Sequence, residues 1–90
     1  MVYIIKLKRW LAYNMEKKYK DTFKNALSLE DDVVIEKLKY NEIPEWDSIG
    51  HMTLISELED KFSISFETDD IVNFSSYEAG KEILNKLGVK

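Results

Sequence analysis

Apolar residues along this chain recur at helical spacing in three stretches and lose any steady period in the long segment between the first two. Met15, Tyr19, Phe23 and Leu27 stand four apart, with Ala26 beside them and lysines between. That spacing predicts an amphipathic helix ending near Ser28. Upstream, Ile4, Leu7 and Leu11 run into Met15 at intervals of three and four, so residues 1–14 read first as an extension of the same helix. Two other readings of that segment stay open: contact with a membrane or a partner, or a true start at Met15. Residues 28–47 hold Val33, Val34, Ile35, Leu38, Tyr40, Ile43 and Trp46 without a period. So long a connection in a small domain is expected to be pinned to the core by such side chains, with a short helical turn inside it.

Pro44 disfavours helix at Ile43, and beyond it Asp47 or Ser48 offers an N-cap. A second helix is therefore predicted from about Ser48 to Phe62. Residues 63–67 carry no helical stripe, and Thr68, Asp69 and Asp70 supply caps for a short helix through Val72. The run Ser75, Ser76, Tyr77, Glu78 has the S-x-x-E form of a capping box. In the helix behind it Ala79, Ile83, Leu84 and Leu87 share one face, and Gly88 is a stop signal. The expected fold class is all-α: a small bundle of three main helices plus one short helix, with a long loop between the first two. One domain over residues 15–90 is expected, with 1–14 as an extension.

The second helix has two apolar flanks. Projected at about 100° per residue, His51, Leu54, Ile55, Leu58 and Phe62 fall within an arc of roughly 100°, the width of a core-facing stripe. Ile49 and Met52 fall outside it, together with Ser56, near the first turn. Either the long loop covers them, or they form a docking patch ringed by Glu57, Glu59 and Asp60. His51, the single histidine, lies on the core stripe and is expected to pack under the loop with hydrogen bonds there. Acid or base work by His51 on Ser48 would need an orienting third group that the spacing does not supply.

Charge narrows the partners. The formal net charge is −4, yet Lys6, Lys8 and Arg9 face no acid within residues 1–14. From Glu42 to Asp70 there are nine carboxylates and one cation, Lys61. Such a stretch repels phosphate backbones and favours basic protein surfaces, so nucleic acid is not an expected partner. The bland alternative is a solvated face that keeps a small protein in solution. Residues 1–14 are too short and too charged to span a bilayer, and their cations interrupt what would be the apolar core of a signal peptide. There is no cysteine, so no thiolate site is available; scattered glycines make no phosphate loop, and Asp69 and Asp70 lack the spacing of a calcium loop. No catalytic or metal-binding set is visible.

Taken alone, Asp47 and Ser48 make a helix cap. The run E-W-D-S-I-G-H-M-T-L-I-S-E-L-E-D-K-F-S-I-S-F from Glu45 to Phe66, however, resembles the acyl carrier protein family, and the likeness extends over about residues 15–88. The resemblance implies that Ser48 receives 4′-phosphopantetheine from coenzyme A through a separate phosphopantetheinyl transferase, with Asp47 supporting the site. It implies a stand-alone, monomeric, cytoplasmic carrier, itself no enzyme, that holds acyl or aminoacyl groups as thioesters. The expected partners are a loading enzyme and a downstream transferase or synthase, met through Ile49, Met52, Glu57, Glu59 and Asp60. Ile49, Gly50 and His51 depart from the fatty-acid form and look more like carriers of specialised pathways. The alternative is an unmodified helical module that docks a partner through its acidic second helix.

Overall fold

The fourfold spacing of Tyr19, Phe23 and Leu27 puts all three on one side of a helix, and there all three are buried. A computed structural model describes residues 15–88; the expected helical extension through residues 1–14 lies outside the described residues. Helix α1 runs through residues 15–26. The chain then turns at Ser28 in the left-handed region (φ 52°), and Leu29 N–H donates to Lys24 O at 2.9 Å. The architecture is all-α, with no strand among the described residues.

The long loop is pinned as expected, by fewer side chains than its apolar content suggests. A single 3-10 turn at Ile35–Lys37 brings Ile35 and Leu38, three apart, to the inner side, where both are buried. Trp46 is fully buried, and Val33 and Ile43 pack in part against the core. Val34 and Tyr40 are exceptions, 59% and 39% exposed. Ion pairs from Lys20 to Glu36 and from Lys24 to Asp31 fasten the outer side of the loop to α1.

A second fastening was not legible in the periodicity. Leu38 O accepts from Tyr77 N–H at 3.0 Å and Tyr40 N–H donates to Ser75 O at 2.8 Å, making an isolated antiparallel bridge between Lys39 and Ser76. Beyond it Asn41, at φ 67°, reverses the chain, and its N–H donates to Trp46 O at 2.9 Å. The loop thus leaves the start of the last helix and arrives at the second, at Ser48, within eight residues of Tyr40.

Helix α2 spans Ser48–Phe62, as predicted, with His51, Leu54, Ile55 and Leu58 buried. Phe62 is half-buried, with the Lys18 ammonium 4.9 Å from its ring centroid. The helix ends at Ser63 in the left-handed region (φ 53°). Helix α3 spans Thr68–Asn73, but its N-cap is Glu67 rather than Thr68, Asp69 or Asp70. Glu67 and Asp70 form a reciprocal capping box, which uses Asp70 as the third helical residue and buries it. Helix α4 spans Tyr77–Lys86, and here the expected box is out of frame by one: Ser76, not Ser75, caps the helix through Ala79 N–H at 3.0 Å. The bridge to Lys39 holds Ser76 in extended backbone, the conformation an N-cap requires.

Tyr77 and Gly80 lie two turns and one turn before Leu84 on the same face, and are buried with Ile83 and Leu84. Tyr77 joins Tyr19, Phe23, Trp46 and Phe74 in a continuous aromatic core, with centroid separations from 4.7 Å (Tyr19–Tyr77) to 6.5 Å (Tyr19–Phe74). Gly80 leaves room for it: a methyl there would stand 2.1 Å from Phe74 Cζ and 2.5 Å from Tyr19 Oη.

Helix α3 is tied to α4 by Lys86 Nζ and buried Asp70 Oδ1, 2.6 Å apart. The lysine holds the Asp70 carboxyl below its ordinary value of 3.8 and is itself raised above 10.5 by the carboxylate. The unfolded chain therefore takes up the Asp70 proton more readily than the folded one, and this contribution to stability, complete above 3.8, is lost as pH falls through the lowered folded value. At the alkaline end it is complete below 10.5 and lost as pH rises through the raised Lys86 value. Thermal unfolding followed by circular dichroism should show Asp70→Asn clearly below wild type at pH 7, with the gap shrinking progressively below pH 3.8. A gap that stays constant across that range contradicts the assignment.

Candidate functional site

The start of α2 is set by three side chains with separate tasks. Trp46 is fully buried and anchors the incoming backbone. Asp47, in extended backbone, caps the helix by accepting Gly50 N–H on Oδ1 at 2.8 Å. Ser48 is the first helical residue and is exposed. Asp47 bonds the backbone and not the serine hydroxyl, and in doing so it fixes the turn on which Ser48 stands. The Ser48 hydroxyl itself pairs with a group that sequence reasoning treated only as a loop anchor: Tyr40 Oη, 3.2 Å from Ser48 Oγ. The available signal was the polar tip of a tyrosine shortly before an Asn and a Pro, but seven residues of intervening loop hid the contact.

Gly50 is required by the local backbone. A methyl on it would stand 2.1 Å from Glu45 O and 3.1 Å from Leu27 Cδ2, so only glycine allows the loop to close this tightly onto the first turn.

Among the described residues nothing covers the apolar flank of α2. Ile49 is 79% and Met52 54% exposed, so the loop does not lie over them. Ser48, Ile49, Met52, Thr53, Ser56 and Glu57 line a shallow, open depression directly beside the serine. Glu57 and Asp60 are exposed on the same helix. Glu59 differs from the expectation: its carboxylate turns toward the end of the helix and accepts Phe66 N–H at 2.9 Å, holding the α2–α3 connection. It is half-buried, and its bonding is structural.

His51 packs under the loop as expected. Indole nitrogen carries a proton and only donates, so the 2.9 Å contact from Trp46 Nε1 makes His51 Nδ1 the acceptor. Nε2 then carries the proton and donates to Ile71 O, also at 2.9 Å. Both ring nitrogens are committed to the scaffold, which leaves neither to act as a base toward Ser48. Among the described residues no group of three or more His, Asp and Glu side chains gathers to hold a metal ion.

The arrangement is therefore an exposed alcohol on a capped first turn, flanked by an open, largely apolar depression with one carboxylate, Glu57, at its border. No described helix is long and apolar enough to cross a membrane. Compared with profiles of known protein families, with curated proteins and with solved structures, the chain matches none of them.

His51→Phe should lower the stability to urea by about 2–4 kcal/mol, because it leaves the buried Trp46 N–H and the Ile71 carbonyl without their partner. The helical circular dichroism should be kept. A midpoint within error of wild type would show that these two bonds do not hold the loop and α3 to α2.

Proposed function

We propose that this chain is a carrier that holds acyl or aminoacyl groups as thioesters on a phosphopantetheine arm attached to Ser48. The observation that carries the reading is the exposed Ser48 hydroxyl at the head of α2, capped by Asp47 within the D-S-I-G-H-M run and opening onto the Ile49–Met52 depression. The arm would supply a flexible thiol that carries the acyl group. The residues of the chain provide the rest: Asp47 and Trp46 hold the attachment turn, while Ile49 and Met52 offer apolar contact to a partner enzyme. Exposed Glu57 and Asp60 steer basic partner surfaces toward that contact. Encounters of this kind are weak and sensitive to salt, as suits a protein that must be released by each partner in turn. The D-S-I-G-H-M form favours a specialised biosynthetic pathway.

The uncovered flank also supports a second reading, an unmodified helical module that docks a partner through α2. Attachment separates the two. Incubated with coenzyme A, magnesium and a broad-range phosphopantetheinyl transferase, the protein should gain one phosphopantetheine group by intact mass, and Ser48→Ala should gain none. A competent transferase that leaves the wild-type mass unchanged rules out the carrier.

Met52→Glu places a charge on the exposed apolar flank without touching the core. It should lower kcat/KM for acyl transfer to or from a partner enzyme about tenfold, the order expected for losing roughly 1.4 kcal/mol of interface contact, while the helical spectrum stays the same. Transfer at the wild-type rate would remove this flank from the docking surface.

A further inference from the structure

Tyr40 is held from three sides. Its N–H donates to Ser75 O at 2.8 Å, and its ring meets those of Trp46 (6.2 Å, 87°) and His51 (5.2 Å, 70°) edge to face. Trp46 is fully buried and His51 is 9% exposed, so the tyrosine ring stands on a rigid floor. From that floor its hydroxyl reaches Ser48 Oγ at 3.2 Å. The fold does not need this bond: both residues are exposed, and water would satisfy either hydroxyl. Ring packing, moreover, would be kept by phenylalanine.

We infer that Tyr40 is a positioning residue for group transfer onto Ser48, an inference that rests on the carrier reading. In that transfer Ser48 Oγ forms a bond to the pantetheine-bearing phosphorus of coenzyme A, and the P–O bond to adenosine 3′,5′-bisphosphate breaks. The leaving group departs with the electron pair of that bond, and the Oγ proton passes to a base of the transferase. An exposed serine distributes itself among three staggered χ1 wells. The bond to Tyr40 selects the well that holds Oγ over the first turn, beside the open depression, before the transferase arrives. After transfer Oγ is an ester oxygen without a proton. The Tyr40 O–H is then the donor, to Oγ or to an adjoining phosphodiester oxygen.

The test compares wild type with Tyr40→Phe in steady-state modification by coenzyme A, magnesium and a broad-range transferase, with thermal unfolding and the ³¹P NMR spectrum of each modified protein. The expected result is an unchanged unfolding midpoint and KM, a kcat lowered about three- to tenfold, and a displaced phosphodiester resonance. A wild-type kcat in the variant overturns the inference and leaves the carrier reading standing. So does a raised KM at wild-type kcat, which would make Tyr40 a contact of the transferase. A displaced resonance does not rescue either outcome. If the variant unfolds at lower temperature, both proteins are compared where each is fully folded, and the same kcat criterion decides. Wild type that takes no group defeats the carrier reading and this inference together.

Discussion

The indole of Trp46 is fully buried, and its N–H has one direction in which to be satisfied: His51 Nδ1, at 2.9 Å. A buried donor left unpaired costs about 1–3 kcal/mol, a large share of the stability of a small domain. His51 must therefore present a bare Nδ1, which leaves its Nε2–H for Ile71 O. One pair of bonds thus joins the loop to α2 and α2 to α3. Ring contacts add α1 through Phe23, 4.9 Å from the indole, and the approach to α4 through Phe74, 6.3 Å away. Trp46 immediately precedes the Asp47 cap, so the burial of this one side chain decides where α2 begins and where Ser48 stands.

The acidic stretch from Glu42 to Asp70 divides between two kinds of work. Asp47, Glu59, Glu67 and Asp70 accept backbone N–H groups at helix ends and connections, and Glu42 accepts Lys39 N–H at 3.3 Å. Those carboxylates replace water at orphan donors and hold the loops. Glu57 and Asp60 remain on the outer surface of α2, beside the apolar flank. Glu45 and Asp69 are exposed as well, so bonding at helix ends leaves much of the negative charge of this stretch at the surface.

Much of the scaffold was legible along the chain. The fourfold repeat of Tyr19, Phe23 and Leu27, the break at Pro44 and the stripe from His51 to Leu58 each describe a local periodicity, and helices are local structures. The Asp47–Ser48 start was readable because a cap acts within one turn. The caps of α3 and α4 were each missed by one residue. Several neighbouring Ser, Thr, Asp and Glu residues were chemically able to serve there, and the choice fell to distant contacts: Lys39 for Ser76, and Lys86 for Asp70. The bond of Glu59 to Phe66 N–H was hidden for a similar reason, since helical projection gives a direction about the axis but not the backbone N–H waiting beyond the helix end.

Sequence by itself determined that four helical segments form, which face of α2 turns inward, and that Ser48 heads that helix, because spacing and capping are carried by residues within a few positions of one another. Tertiary structure decided that the loop leaves Ile49 and Met52 uncovered, that both nitrogens of His51 are spent on the scaffold, and that Tyr40 reaches the serine hydroxyl. Each of those outcomes depends on where the unperiodic segment of residues 28–47 comes to rest. That path follows from the burial of Trp46 and the bridge to Ser76, contacts between parts of the chain that no local pattern relates.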